Sequence, residues 1–363
     1  MLAKSFKTTT VQGRDAAGLL TAWRDLAERA LVPSGYHAPE LRIPILAQAD
    51  AGVLETVEQG GQLALALAAQ PGRLYDQTPS SPLIASGLPH VVAEGAVEAV
   101  QAFLNPRTKP FLFKAVPTEG AFAEALDIAV ARKFVLRTWA RAGLVLTRTY
   151  ETWLAANFDH KRRKELKRQR ARLSEQGALK LETLNQNNNL YGFVEDLLQL
   201  EAAGWKGERG TALRNDEATV EAFRAATANL HHAGKLRFWR LSLNGRAIAA
   251  LFAIVEGNEA WLGKIAYDEA FAKFSPGTLI ILDATESFFA EGGIARVDSS
   301  AIPGHPMIER IWRDRIGFQD ILVAGPDVSA LGFYLVAWGL LAKQELRALA
   351  KRAFYLVSNR KRS

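Results

Sequence analysis

Cysteine is absent from all 363 residues. Disulfides, thiolate metal sites and a cysteine nucleophile are therefore excluded, and a reducing compartment fits. Long apolar runs are missing too. The longest charge-free stretch near the end, Val328 to Ala342, falls short of the roughly 20 residues a membrane-spanning helix needs. The opening MLAKSFKTTTVQGRD has no apolar core of a secretory leader, so a cytoplasmic location is expected. Net positive charge is missing outside one segment. Residues 161 to 172, KRRKELKRQRAR, hold eight Lys/Arg and one Glu, which equals the whole net charge of +7. Aromatic residues are missing from that segment, and its charges surround the helix rather than form a stripe. A solvated connector, a tRNA backbone, an anionic lipid surface or an acidic glycan would all suit it.

What is present describes a folded chain, 48% hydrophobic and 23% charged, long enough for two ordinary domains or one large one. Periodicity predicts a strand at 5–11, a helix capped by Asp15 and running to Leu31, and strands within 53–69 joined at Gly60-Gly61. A strand and turn in SPLIASGLPHVV, a helix at 94–104, a strand at 111–116, a helix at 119–133 and strand-like 134–150 complete the first part. One long polar helix is predicted over 150–176. Then come a strand at 179–184, helices at 189–203 and 215–233, and a three-stranded meander turning at Asn244-Gly245 and Gly257-Asn258. A helix after Ser275, a strand at 294–299, a helix at 305–315, a strand at 318–323 and a last helix over 328–357 follow. Element order repeats between the halves, although residues do not.

At the junction "AKFSPGTLI", Pro276 suits a first helical position and Ser275 suits the cap before it. A helix start offers free N–H groups and the positive end of the dipole to phosphate oxygens. Lys273 adds charge nearby, Gly277 allows close approach, and Thr278 follows. An ordinary capped helix start is the alternative. The loop Gly204-Trp205-Lys206-Gly207-Glu208-Arg209-Gly210 joins two helices after Glu201. Its Trp either stacks on a ligand or packs inward. Asp298 and His305 flank a turn between a strand and the next helix. An imidazole with its ordinary pKa near 6.5 can take a proton from an attacking amine or alcohol. A structural hydrogen bond at a helix start is the other reading of His305. Tyr267, Asp268 and Glu269 follow the third meander strand.

The stretches "LEAAGWKGERGTAL", "GKLRFWRLSLNGRAIAALFAI", "KIAYDEAFAKFSPGTLI" and "HPMIERIWRDRIGF" resemble the GNAT-type acyltransferases named after the cellulose-biosynthesis protein CelD. The tandem order resembles the FemAB peptidoglycan aminoacyltransferases. The resemblance implies an α+β fold of two tandem GNAT-like units, each a mostly antiparallel sheet flanked by helices. Residues 1–149 would form a degenerate unit, 150–178 a basic linking helix, 179–325 the catalytic unit and 326–363 an amphipathic helix. It implies acyl transfer to an amine or hydroxyl, with Lys264, Ile265, Ala266, Lys273, Ser275, Pro276, Gly277 and Thr278 at the donor. Glu201, Trp205, Lys206, Glu208, Arg209 and Asp268 would meet the acceptor, and His305, Asp298 and Tyr267 would act chemically. No metal is implied. The glycine-rich (Q/R)xxGxG/A loop of CoA-binding members is absent, and 305–318 holds no Tyr to serve as acid. Acyl-CoA (acetyl-CoA included), acyl-carrier protein and aminoacyl-tRNA all stay open as donors. The acceptor would be a small molecule or glycan, with polysaccharide biosynthesis one setting. A catalytically silent subunit of an exopolysaccharide assembly is a further reading. The basic and C-terminal helices would allow peripheral membrane contact, the last helix alternatively docking on its own domain.

Overall fold

The computed structural model describes residues 6–48, 52–185, 189–204, 210 and 212–360, with backbone alone from 351. The chain opens with β1 (Phe6–Gln12), α1 (Leu20–Glu28) and α2 (Pro39–Leu46). The hairpin β2 (Val53–Gln59) and β3 (Gln62–Ala69) turns on Gly60 and Gly61, both at positive φ as a tight hairpin requires. Short strands β4 (Asp76–Gln77) and β5 (His90–Val91) precede α3 (Ala96–Leu104), β6 (Phe111–Pro117), α4 (Ala121–Ala129) and β7 (Arg132–Val145). Next come α5 (Tyr150–Asn157), α6 (His160–Ser174), β8 (Leu179–Thr183), α7 (Leu190–Ala203) and α8 (Glu217–His232). The meander is β9 (Leu236–Leu243), β10 (Arg246–Glu256) and β11 (Glu259–Tyr267). The chain continues with α9 (Pro276–Glu291), β12 (Arg296–Asp298), β13 (Asp314–Ala324) and α10 (Ala330–Arg360).

The expected α+β architecture is present, with strands mostly antiparallel. One sheet runs β1-β2-β3-β5; the other runs β4-β6-β13-β7-β12-β11-β10-β9-β8. β13 lies between β6 and β7, so strands from both halves interleave in the nine-stranded sheet. Around the meander both faces are covered. Trp239, Leu251 and Ala253 point to a core shared with α9, α5 and α6. Phe238, Phe252 and Ile254 point to a core shared with α7, α8 and α2. Side chains alternate along a strand, so a strand buried on both faces reads as the unbroken apolar run AIAALFAI.

Three predicted elements differ. The polar helix over 150–176 is two helices, broken at Phe158–Asp159: Phe158 is extended and buried, and Asp159 caps α6 by accepting the Arg162 N–H. The helix expected at 305–315 is one 3-10 turn, Ile308–Arg310. Ile308, Ile311 and Trp312 do share a buried side, but from Asp314 the backbone is taken into the ladder with β7. At the start, the Asp15-capped helix is a 3-10 segment, Gly13–Leu19, whose cap position is Gln12; α1 follows it.

Candidate active site

The site begins with a break in pairing. β11 is parallel to β12 only over Glu259–Trp261, opposite Arg296–Asp298. From Leu262 to Tyr267 it pairs with β10 on one edge and with no described strand on the other. Within this stretch the β10–β11 register shifts, so that Phe252 opposes both Gly263 and Lys264. Such bulges re-aim backbone groups. Gly263 is required here, since a Cβ would lie 2.1 Å from the Phe252 ring. The chain leaving β12 at Asp298 diverges, and a cavity of about 350 Å³ fills the opening.

Its walls come from both halves of the sequence. Tyr36 and Pro82 to Ala85 face Gly263, Lys264 and Ile265, with Ser299, His305 and Met307 at the far side. The Tyr36 hydroxyl donates to the Leu262 carbonyl at 3.0 Å, on the strand that β12 has left. Burial pushes this phenol up to about 12, so it stays a donor.

Asp298 is buried with both oxygens engaged. Arg141 Nη2 donates to Oδ2 at 2.5 Å, and the Ser300 N–H donates to Oδ1 at 2.8 Å. Arg141 also donates to the Ala85 carbonyl at 3.0 Å and lies 3.9 Å over the Phe318 ring. Asp298 thus ties the turn after β12 to the cavity's opposite wall. His305 lines the cavity; its Nδ1 faces the N–H groups of Met307 and Ile308 at 3.3 and 3.5 Å. These contacts require the tautomer carrying its proton on Nε2. Lys264 donates to Glu201 Oε1 at 3.1 Å, and Glu201 Oε2 accepts from the Leu213 N–H at 3.0 Å. This pair of a half-buried lysine and a buried glutamate closes the side of β11 near Ala266, beside Gly204.

A second pocket, about 260 Å³, opens at the start of α9. Tyr267, Ser275, Gly277, Thr278 and Met307 line it, with Arg162 of α6 and Arg310. Met307 belongs to both cavities. Gly277 is tight: a Cβ would lie 2.9 Å from Tyr267 Cδ1 and 3.0 Å from Met307 Sδ. Ser275 does not cap the helix as expected. Its φ of 54° is left-handed and its side chain makes no capping bond, which leaves the helix's first N–H groups without a side-chain cap.

The structure therefore brings His305, Lys264 and Ile265 to one cavity, and Tyr267, Ser275, Gly277 and Thr278 to the other; Pro276 is buried beside them at the first position of α9. It does not bring every expected residue there. Lys273 is exposed with Nζ 4.9 Å over the Phe274 ring and lines neither cavity. Asp268 accepts from the Ala270 N–H at 3.0 Å and pairs with Arg246 at 2.6 Å, also outside both. Trp205, Lys206, Glu208 and Arg209 lie outside the described residues. Sequence reasoning missed Tyr36, Arg141, Arg310 and Gly263, and saw Arg162 only as one charge of the basic segment. For Gly263 a signal existed, because an isolated glycine within a strand marks a bulge or close approach.

Residues 160–303 match the model of the Acetyltransferase (GNAT) domain. The chain matches no curated protein sequence. Among solved structures, FemX superposes with a TM-score of 0.56 at 9% identity, over 91% of this chain and 99% of that one. The C-terminal domain of a protein named as a lysylphosphatidylglycerol synthetase from Agrobacterium fabrum superposes with a TM-score of 0.55 at 13% identity, over 90% and 96%. At such identities the likeness concerns the fold. The chain is accordingly an α+β protein that shares its fold with FemX and that C-terminal domain, and its residues 160–303 match an acetyltransferase (GNAT) domain.

Proposed function

We propose that the protein is an acyltransferase carrying an acyl group from a phosphate-bearing thioester, acyl-CoA in the simplest case, to an amine or hydroxyl on a small molecule or glycan. Residues 179–325 would form the catalytic unit and 1–149 the wall that closes it. The observation that carries this reading is the pair of cavities that share Met307 and line successive parts of the bulged, singly paired edge of β11. Phosphate oxygens fit the uncapped start of α9, and Arg162 and Arg310 make no ion pair among the described residues. The acyl carbon then lies along Gly263 to Tyr267, where backbone N–H groups can take the carbonyl oxygen.

The acceptor nitrogen or oxygen forms its bond to that carbon as the C–S bond breaks. His305 orients the acceptor through Nε2–H, the acceptor's proton passes to water in the open cavity, and the Tyr267 hydroxyl protonates the leaving thiolate. Asp298 positions the turn that carries His305. A setting in polysaccharide assembly belongs to this proposal through the CelD resemblance alone.

A second donor, aminoacyl-tRNA, is favoured by one observation. Of the eight cations on α6, only Arg168 and Arg170 pair with carboxylates among the described residues. Thermal-shift titration with CoA, acetyl-CoA, acyl-carrier protein and tRNA tests both readings. CoA is expected to raise the melting temperature, and Arg162→Ala with Arg310→Ala to abolish the rise. A response to tRNA alone would replace the thioester donor, and silence to all four would leave a binding protein.

A further inference from the structure

Away from the acyl-transfer cleft, a hollow of about 590 Å³ lies between α10 and the face of the nine-stranded sheet formed by β6, β13 and β7. Phe333 and Ala337 of α10 pack against Leu112, Leu136 and Leu322, which docks the first turns of the helix. Past that contact the helix turns Leu340, Lys343, Gln344 and Arg347 towards the sheet. The sheet answers with Lys114, Arg137 and Asp320 from adjacent strands. Ala115 beside Lys114 holds a left-handed φ of 49°, and its N–H donates to Asp320 Oδ1 at 2.9 Å.

The charges in this hollow do not cancel. Asp320, the one carboxylate, spends its other oxygen on Arg137 Nε at 2.7 Å. Arg137 lies 4.2 Å over the Trp139 ring, and Lys114 donates to Ser80 Oγ at 3.0 Å. Among the described residues no carboxylate pairs with Lys114, Lys343 or Arg347. Burial first, and then the charges of Arg137, Arg347 and Lys343, hold the Lys114 ammonium below its usual range, while Asp320 pulls the other way. Gathering four cations around one carboxylate is unfavourable unless an anion joins them. Lys and Arg together suit tetrahedral phosphate oxygens, and Leu112, Leu136 and Leu340 leave an apolar floor for the carbon skeleton behind.

We infer that this hollow is a second anion site, independent of the donor pocket, which takes a phosphate-bearing ligand between Lys114, Arg137, Lys343 and Arg347. Two sources share that chemistry, a soluble organic phosphate and an anionic lipid headgroup. The outer face of α10 makes the second relevant, since Leu331, Tyr334, Leu335 and Trp338 are exposed there. The sequence beyond residue 350 adds five Lys/Arg and no acid.

The test uses the full chain carrying Arg162→Ala and Arg310→Ala, which removes the donor pocket's cations. Calorimetric titration with inorganic pyrophosphate is one arm. Co-sedimentation with phosphatidylcholine vesicles, with and without phosphatidylglycerol, is the other. Binding is expected in at least one arm. Lys343→Gln with Arg347→Gln should weaken it by at least about tenfold, within the worth of one charge-assisted hydrogen bond. Lys7→Gln with Arg14→Gln, both exposed and away from every cavity described, should leave it unchanged. Pyrophosphate binding identifies a soluble ligand, and binding only to vesicles containing phosphatidylglycerol identifies a lipid. Silence in both arms, or an equal loss from the Lys7/Arg14 variant, overturns the site. Neither result bears on the acyl-transfer pocket, whose arginines are already removed.

Discussion

Arg42 and Arg162 carry the same side chain into opposite circumstances. Arg42 is buried in the first half, where Nε donates to the Tyr36 carbonyl at 2.6 Å and Nη2 to the Ser86 carbonyl at 3.3 Å. No carboxylate pairs with it among the described residues, and burial lowers its pKa to about 9. Arg162 lies exposed at the rim of the α9 pocket with no ion pair among the described residues. Arg42 braces a wall, since Tyr36 lines the larger cavity and Ser86 follows the segment that does. Arg162 on α6 stands at a pocket rim, where a ligand can reach it. Buried charge in this molecule serves shape, and rim charge is available for binding.

Asp298 lies on the boundary of that distinction and offers the largest test. Its catalytic assignment came from position beside the turn, whereas its contacts are those of a brace. Asp298→Ala leaves Arg141 buried without its partner, and loss of one member of a buried pair costs about 3–5 kcal/mol. Urea unfolding should show that loss, while Arg162→Ala should stay within about 0.5 kcal/mol of the parent. If Asp298→Ala unfolds at the parent's urea midpoint, the division between braces and rim charges fails.

The second test is acid. His37 and His90 are buried in the first half, His90 accepting from Trp23 Nε1 at 3.1 Å and His37 Nε2 from the Ala68 N–H at 3.3 Å. Burial is the main cause that lowers both, His37 well below the usual range and His90 to about 3; the charges of Arg42 and Lys235 add to it. Because the folded values lie below 6.5, the unfolded chain binds more protons under that pH. Stability is therefore whole above about 6.5 and falls as pH drops towards 3, by about 1.4 kcal/mol per unit for each histidine. Unfolding free energies at pH 6 and pH 5 should show the slope. His90→Gln, which keeps an acceptor for Trp23, should remove about half of it. An unchanged slope would mean that the brace is not held by neutral imidazoles.

The meander was legible almost to the residue because apolar runs and two turn signals specify it locally. Both turn glycines, Gly245 and Gly257, sit at positive φ, as their positions after and within the turns led one to expect. What the sequence did not disclose depends on distance along the chain. Tyr36 meets Leu262 across 226 positions and Arg141 meets Asp298 across 157; no local pattern encodes either. Arg162 was visible as charge, but its place at the α9 pocket follows from the break at Phe158–Asp159, which turns α6 independently of α5. The helix expected at 305–315 failed for a related reason. Three apolar residues at helical spacing were present, yet the pull of β7 on Asp314 onwards outweighed them.

Ser275 gives the smallest and most local test. Ser-Pro suggested a capping serine, which needs an extended backbone at the cap. The chain instead enters α9 from the 3-10 segment Glu269–Phe274 and turns sharply, which puts Ser275 in the left-handed region at φ 54°. A side chain there is strained by an amount of order 1 kcal/mol, and the loss of a cap would cost nothing because no capping bond exists. Glycine relieves the strain but loses more entropy on folding. Ser275→Gly should therefore leave stability unchanged or raise it by up to about 1 kcal/mol in urea unfolding. A capping serine would show the opposite, a loss. Donor affinity measured alongside separates the two remaining roles: if the hydroxyl touches the phosphate, affinity falls while stability holds, and if the backbone N–H groups alone bind it, neither falls.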